Sequence, residues 1–200
     1  MKLLIATRNK HKLEEIRQIF VLPGLELLAA DEVDGLPENV VEDADTFEGN
    51  ALKKARELCE ASGLWALADD SGLEVIALDN APGVSSAYYA GEPCSCPANN
   101  AKLLRELDGV TDRRAQFRCV IALRAPDGRE WVVDGRCTGN IIEAPRGANG
   151  FGYDPLFVPD GYTQTFAELD SETKHALSHR GNALRRAEAE WGNLLRETRD

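Results

Sequence analysis

The sequence lacks any apolar run long enough to cross a membrane, and the apolar stretch from Met1 to Thr7 is too short for a signal peptide. It also lacks an excess of positive charge. The 23 basic residues against 34 acidic ones give a net charge of −11, which disfavours binding to the backbone of DNA or RNA. Because cations and a metal ion act locally, a small phosphorylated ligand remains compatible with this charge. We therefore expect a cytoplasmic protein with no membrane or nucleic-acid partner.

The number of cysteines is odd, with five residues in the chain. Only Cys94 and Cys96 lie close together, and no second close pair is present to complete a zinc site. We expect reduced thiols, and neither a disulfide framework nor a structural metal.

The pattern that is present alternates strands and helices, which is typical of an α/β fold. Hydrophobic periodicity predicts strands at 2–6, 25–29, 65–68 and 73–78, and helices at 9–21, 46–62, 97–107 and from 171 onward. Two alternating runs at 115–124 and 130–137, joined by Asp127-Gly128, predict a hairpin and hence a mixed sheet, with a further strand at 139–142. We expect a single α/β domain over residues 1–200, with room for two lobes.

A phosphate-binding turn is predicted between the first strand and the first helix. Backbone N–H groups at a helix N-terminus attract phosphate, and this turn adds side-chain donors and positive charge. It is not a Walker A loop, because the glycines are missing. The alternative is that Thr7 or Asn9 only caps the helix and the lysines are solvated. The candidate residues are Thr7, Arg8, Asn9, Lys10, His11 and Lys12.

Two neighbouring carboxylates, Asp69 and Asp70, follow an apolar strand and precede Ser71-Gly72. Such a pair is costly unless a cation neutralises it, and Mg²⁺ binds through one or two carboxylates plus substrate phosphates. Since neighbouring strand residues point to opposite faces, one aspartate can serve the site while the other has a structural role. The alternative is a tight turn held by Asx-type hydrogen bonds.

A glycine-rich aromatic segment, Gly150 to Pro155, suits a flat base. Its glycines let the backbone approach a ligand closely, Phe151 or Tyr153 offers a ring for stacking, and Asp154 offers an acceptor for a base edge. The alternative is a tight loop whose aromatic side chains pack in the core.

A cationic segment follows, in which Lys174 lies four residues before Ser178 and therefore shares its face on a helix. His179 and Arg180 come next, and an Arg fork suits phosphate or a base edge. The alternative is a solvated helix face. A weaker candidate is the acidic run at 42–48, whose carboxylates also suit the dipole of the second helix.

Six sequence blocks, in this order, resemble the noncanonical purine nucleoside triphosphate pyrophosphatases, also called inosine and xanthosine triphosphate pyrophosphatases. They are IATRNKHKLEEI, TFEGNALKKA, LADDSGLEV, APGVSSAYYAG, GANGFGYDPLF and ETKHALSHRGNAL. The resemblance covers nearly the whole chain. It implies an α/β fold with an elongated mixed sheet and two lobes around a central substrate cleft. It also implies a homodimer that uses Mg²⁺ to hydrolyse ITP, dITP and XTP to the monophosphate and pyrophosphate.

The resemblance also implies roles for individual residues. Asp70 would bind the metal and act as general base, with Glu42 as a second metal carboxylate and Asp69 beside them. The triphosphate would be held by Thr7, Asn9, Lys12 and Lys54, with Ser71 in contact with the substrate. The base would be surrounded by Phe151, Gly152, Tyr153 and Asp154 and recognised at its 6-oxo group by Lys174, His179 and Arg180. His11 departs from the family, which usually has glycine there.

Three other functions remain open from the sequence. A related pyrophosphatase of the Maf-like group would act on modified pyrimidines, and the Ser178-His179-Arg180 block disfavours it. A nucleotide sensor without turnover is disfavoured by the intact Asp69-Asp70 pair. A zinc-supported interaction protein has only Cys94 and Cys96 in its favour.

Overall fold

A computed structural model describes residues 1–197 and contains a mixed six-stranded sheet with the strand order β2-β1-β3-β4-β5-β6. Strand β1 pairs in parallel with β2 and β3, whereas β5 and β6 pair antiparallel, which confirms an α/β fold with a mixed sheet. The strands are β1 (Lys2–Ile5), β2 (Glu26–Ala29), β3 (Trp65–Val75), β4 (Arg114–Arg124), β5 (Glu130–Ile141) and β6 (Phe157–Pro159). The helices are α1 (Lys10–Ile19), α2 (Phe47–Ser62), α3 (Cys96–Glu106), α4 (Ser171–Leu177) and α5 (His179–Glu197).

The prediction of two strands around an Asp-Asp-Ser-Gly turn is wrong, because β3 runs without interruption from Trp65 to Val75. The two aspartates have cationic partners inside the fold, so the strand continues where the sequence resembles a turn. Strand β5 likewise runs to Ile141 and so includes most of the strand predicted at 139–142.

The single helix expected after residue 171 is divided. Helix α4 ends at Leu177, and Ser178 adopts an extended conformation with ψ of 155° as its C-cap. Ser178 therefore does not share a helical face with Lys174, although its backbone N–H donates to the Lys174 carbonyl at 2.8 Å.

The chain divides into two compact units. Unit 1 comprises residues 1–70, 119–135 and 180 onward, and its strands carry apolar side chains on both faces. Leu3 and Ile5 belong to one cluster with Ile16 of α1, whereas Leu4 belongs to another with Ala51 of α2. This alternation follows from the two-residue period of a strand.

Unit 2 comprises residues 71–118 and 136–179. Its core is aromatic, with Phe117 at ring-centroid distances of 4.8 Å from Phe157 and 5.7 Å from Phe166. All five cysteines are free thiols. Over residues 1–197, no helix has both the length and the apolarity needed to cross a membrane.

Candidate active site

The turn between β1 and α1 is organised by Asn9, the N-cap residue of α1. Its Oδ1 accepts hydrogen bonds from the backbone N–H groups of His11 and Lys12 at 3.0 and 3.3 Å. Asn9 therefore caps α1, as the alternative interpretation of this turn held, and the phosphate-binding role stays a prediction. The Thr7 hydroxyl in turn accepts from the Asn9 N–H at 3.2 Å. The turn is fixed by its own side chains, with Lys12 at the start of the helix.

Asp69 and Asp70 lie on β3 within unit 1 and contact different partners, as neighbouring strand residues should. Asp69 meets Lys12 of α1 and Arg180 of α5. Asp70 meets Lys54 and Asn50 of α2. The sequence expectation that the two carboxylates divide their roles fits this arrangement.

Asp69 belongs to a buried ion-pair cluster. Its Oδ2 lies 3.0 Å from the Lys12 Nζ and 3.1 Å from Arg180 Nη2. The other end of the Arg180 guanidinium donates from Nη1 to Glu15. Burial would raise the pKa of Asp69, but the cations of Lys12 and Arg180 outweigh it and hold that pKa well below its usual range. Asp69 therefore stays ionised at neutral pH and keeps its ion pairs with Lys12 and Arg180.

Asp70 lies in a second cluster. The Lys54 Nζ is 3.3 Å from Asp70 Oδ1 and 3.0 Å from Glu42 Oε2, so one ammonium group bridges the two carboxylates. Burial raises the pKa of Asp70 to about 6, against the opposing effect of Lys54 and Lys12. Burial would lower the pKa of Lys54, but the carboxylates of Asp70, Asp69 and Glu42 raise it. Lys54 therefore stays charged, and Asp70 holds a proton more readily than an exposed aspartate does.

Within unit 2, Asp154 organises the aromatic segment predicted to surround the base. Its Oδ2 accepts from the Phe151 backbone N–H at 2.8 Å and from the Lys174 Nζ at 2.9 Å. The Lys174 Nζ also lies 5.3 Å from the centroid of the Phe151 ring. A Cβ on Gly150, whose φ is +73°, would lie 2.1 Å from Asp154 Oδ2, so only glycine allows this loop.

The two aromatic residues of this loop differ in their surroundings. Tyr153 is 4% exposed, and its hydroxyl donates to the Ser86 carbonyl at 2.8 Å, which makes it part of the core of unit 2. Phe151 is only half-buried and is the better placed of the two for stacking. His179 is 6% exposed, and its ring stacks on Phe117 at 4.7 Å.

The structure brings the predicted residues together in three groups: Lys12, Asp69 and Arg180; Glu42, Lys54 and Asp70; and Phe151, Asp154 and Lys174. The remaining candidates lie outside these three groups. Arg8 donates to the Pro37 carbonyl at 3.0 Å, Lys10 and His11 are exposed, and Ser71 is half-buried on β3. Gly152, with φ of +63°, has its carbonyl bonded to Asn100 at 3.1 Å.

Sequence reasoning missed two residues of these clusters, Glu15 and Asn50. Asn50 carried a usable signal, because it lies four residues before Lys54 and therefore on the same face of α2. Glu15 carried none, since its partner Arg180 is 165 residues away.

Comparison with known proteins extends this picture. A model of the Ham1 family matches residues 3–190. A protein of Desulforamulus reducens named dITP/XTP pyrophosphatase is 52% identical over 189 residues, covering 94% of each chain. The solved Ham1 protein of Staphylococcus aureus is 40% identical with a TM-score of 0.88, covering 97% of this chain and 100% of that one. A solved structure of a nucleoside-triphosphatase, or dITP/XTP pyrophosphatase, of Mycobacterium abscessus is 47% identical with a TM-score of 0.77. The match covers 93% of this chain and 98% of that one.

Proposed function

The chain belongs to the Ham1 family, and we infer that it hydrolyses noncanonical purine nucleoside triphosphates such as dITP, XTP and ITP to the monophosphate and pyrophosphate. The observation in the structure that best supports this chemistry is the cluster of Glu42, Lys54 and Asp70. It places a buried carboxylate that can accept a proton 3.3 Å from a buried cation. Removal of deaminated purines from the nucleotide pool is the expected purpose.

Asp70 acts as the general base in this proposal. A positioned carboxylate can take a proton from the attacking water in the transition state. Asp70 accepts the proton of a water molecule that attacks the α-phosphorus, and the bond to the pyrophosphate oxygen breaks. Lys54 and Lys12 supply positive charge for the phosphate oxygens on which negative charge develops.

The donor set of this cluster fits Mg²⁺. Residues 1–197 contain no group of three or more His, Cys, Asp or Glu side chains arranged to hold a metal ion. Mg²⁺ suits a site with only two carboxylates, because it binds through one or two carboxylates and takes its other ligands from water and substrate phosphates. We propose Glu42 and Asp70 as these carboxylates. The ion, when bound, supplies charge neutralisation for the leaving pyrophosphate. Asp69 is the poorer candidate, because two cations, Lys12 and Arg180, already neutralise it, whereas Asp70 and Glu42 share the single cation of Lys54.

The triphosphate is held, in this proposal, at the turn containing Thr7, Asn9 and Lys12. Positive charge from Lys12 and the N-terminal dipole of α1 favour an anion there. Arg8, Lys10 and His11 add exposed donors beside it. Ser71 follows the general base directly along β3 and contacts the substrate.

Base recognition is assigned to the segment Phe151 to Asp154 and to Lys174, with His179 and Arg180 as further donors. Phe151 stacks on the purine, and the segment Gly152 to Asp154 surrounds it, with Asp154 fixed by Lys174. Donors of Lys174, and of His179 and Arg180, suit a 6-oxo group and would lose their partner against a 6-amino group. Such a polar mismatch discriminates more strongly than a change in size does.

We also propose that the chain works as a homodimer in the cytoplasm, acting on free nucleotides and on neither nucleic acid nor membranes. The net charge of −11 supports the exclusion of nucleic acid. Light scattering on the purified protein tests the dimer, and a mass equal to one chain would contradict it.

Pyrophosphate release from dITP by an Asp70→Asn variant tests the assigned base. Loss of a general base typically reduces turnover by about 100-fold or more, and we expect at least that for kcat. Asp127→Asn is the matched control, because Asp127 lies outside all the proposed site residues, is exposed and pairs with Arg129. An Asp70→Asn variant that keeps a rate close to that of Asp127→Asn would exclude Asp70 as the base.

A further inference from the structure

Asn50 is a buried polar residue that none of the roles above uses. It lies in the first turn of α2 and is 2% exposed. Its Nδ2 donates to Asp70 Oδ2 at 3.2 Å, and its Oδ1 accepts from the backbone N–H of Ala44 at 3.0 Å. One side chain therefore connects the proposed general base to the segment that carries Glu42.

The two bonds also fix the orientation of the Asn50 amide. If the amide were turned over, its NH₂ group would face the Ala44 N–H, and its oxygen would face the carboxylate of Asp70. Both contacts would then be repulsive, so only one orientation satisfies both neighbours. With Lys54 on the other oxygen of Asp70, one face of α2 holds both oxygens of that carboxylate.

A second observation places the acidic segment against the same turn of α2. A Cβ built on Gly49 would lie 2.7 Å from the Ala44 Cβ and 3.1 Å from the Thr46 Oγ1. Glycine at position 49 thus permits the close approach of residue 44 that the Asn50 bond requires. The residues from 41 to 44 form no regular secondary structure, so their position depends on such contacts.

We propose that Asn50 is the positioning residue that sets the spacing between the carboxylates of Asp70 and Glu42. It acts on Asp70 directly and on Glu42 through the Ala44 backbone, two residues away. The proposal rests on the proposed function, in which these two carboxylates bind the divalent cation. Glu42 needs such support, since its side chain is 46% exposed and its ionic partner, Lys54, is shared with Asp70.

The test measures binding of Mn²⁺ to the nucleotide-free protein by the electron paramagnetic resonance signal of the free ion. Removing a residue that orients metal ligands commonly weakens affinity by about 10-fold or more, and we expect this for Asn50→Ala. In a Glu42→Gln background, the same change should weaken affinity by a clearly smaller factor, because only its effect on Asp70 remains. Equal weakening in both backgrounds, or none in either, would overturn the proposal.

Gly49→Ala is a second variant that leaves the Asn50 side chain intact. Alanine favours the helix by up to about 1 kcal/mol relative to glycine, so this variant should fold. Its added methyl group displaces residue 44, and we expect weaker Mn²⁺ binding despite the better helix former. Unchanged Mn²⁺ affinity in Gly49→Ala would show that docking of residue 44 does not place Glu42.

Asn99→Ala is the matched control for a buried helical asparagine. Asn99 is 3% exposed and bonds to the backbone of Ser86, Ala87 and Ala90 in unit 2. Its loss should lower the melting temperature and leave the Mn²⁺ dissociation constant within about twofold. Weakening of Mn²⁺ binding equal to that of Asn50→Ala would mean that both act through general destabilisation, against the proposal.

Turnover of dITP by the unmodified protein is measured on the same preparation. Absence of turnover, together with a smaller effect of Asn50→Ala on Mn²⁺ affinity in the Glu42→Gln background, would count against the proposed function alone. Normal turnover, together with an equal effect of Asn50→Ala in both backgrounds, would count against the role of Asn50 alone.

Discussion

Replacement of Arg180 by methionine should destabilise the protein strongly, because the guanidinium neutralises a buried carboxylate. Arg180 is 1% exposed, and its Nε and Nη2 lie 3.3 and 3.1 Å from Asp69 Oδ2. Glu15 occupies the third nitrogen. Methionine fills a similar volume but leaves Asp69 with Lys12 as its remaining cation among these contacts.

The expected loss follows from the cost of a buried, uncompensated charge. Removing one partner of a buried pair costs about 3–5 kcal/mol, and the low end applies because Lys12 remains beside Asp69. For a chain of this size, each kcal/mol corresponds to roughly 2–4 °C in melting temperature, so about 3 kcal/mol lowers it by roughly 6–12 °C.

The loss should depend on pH in a definite direction. The folded-state pKa of Asp69 lies below its ordinary value of 3.8, so its charge contributes stability above that value, and this stability is lost as the pH falls further. In the variant, burial acts with less opposition and raises the pKa of Asp69. As the pH falls, protonation of Asp69 removes the unpaired charge. The difference in the free energy of unfolding between the variant and the unmodified protein therefore becomes smaller.

Thermal unfolding of both proteins at about pH 7.5 and about pH 5 measures this difference. Arg186→Met on the same helix is the control, because Arg186 is exposed and pairs with Glu190. The control should shift the melting temperature by less than about 2 °C. An Arg180→Met variant no less stable than this control, or one with the same deficit at both pH values, would refute the assigned role of the guanidinium.

Two further predictions concern the substrate and the metal. Lys174→Met removes the cation 2.9 Å from Asp154 Oδ2, which should disorder the base loop and raise KM for dITP by about tenfold. Its kcat should change less than its KM, and steady-state kinetics that show the reverse would place Lys174 in the chemical step. Chelation of divalent ions with EDTA should abolish turnover, and added Mg²⁺ should restore it. Undiminished turnover in EDTA would exclude the metal from the reaction.

Local features of the fold could be predicted from the sequence. Thr46 caps α2 and Asp170 caps α4 through their own side chains, and the apolar periodicity of the residues that follow each cap predicts the helix. The bond from the Phe151 N–H to Asp154 spans three residues and belongs to a loop already marked by its glycines.

Long-range pairing could not be predicted in the same way. The continuity of β3 through Asp69 and Asp70 depends on cations supplied by α1, α2 and α5, and local propensity contains no information about them. The ion pairs of Arg180 with Asp69 and Glu15 likewise form only when unit 1 is packed, so the sequence does not predict them. The contact of Arg180 with the purine stays a prediction.

The most direct test of the central claim is the release of pyrophosphate from dITP, XTP, ITP, GTP and ATP, measured in parallel with Mg²⁺. We predict that the three deaminated purine nucleotides are hydrolysed faster than GTP and ATP by about 100-fold or more, with pyrophosphate as the product. Similar rates for all five nucleotides would contradict the specificity, and release of orthophosphate in place of pyrophosphate would contradict attack at the α-phosphorus.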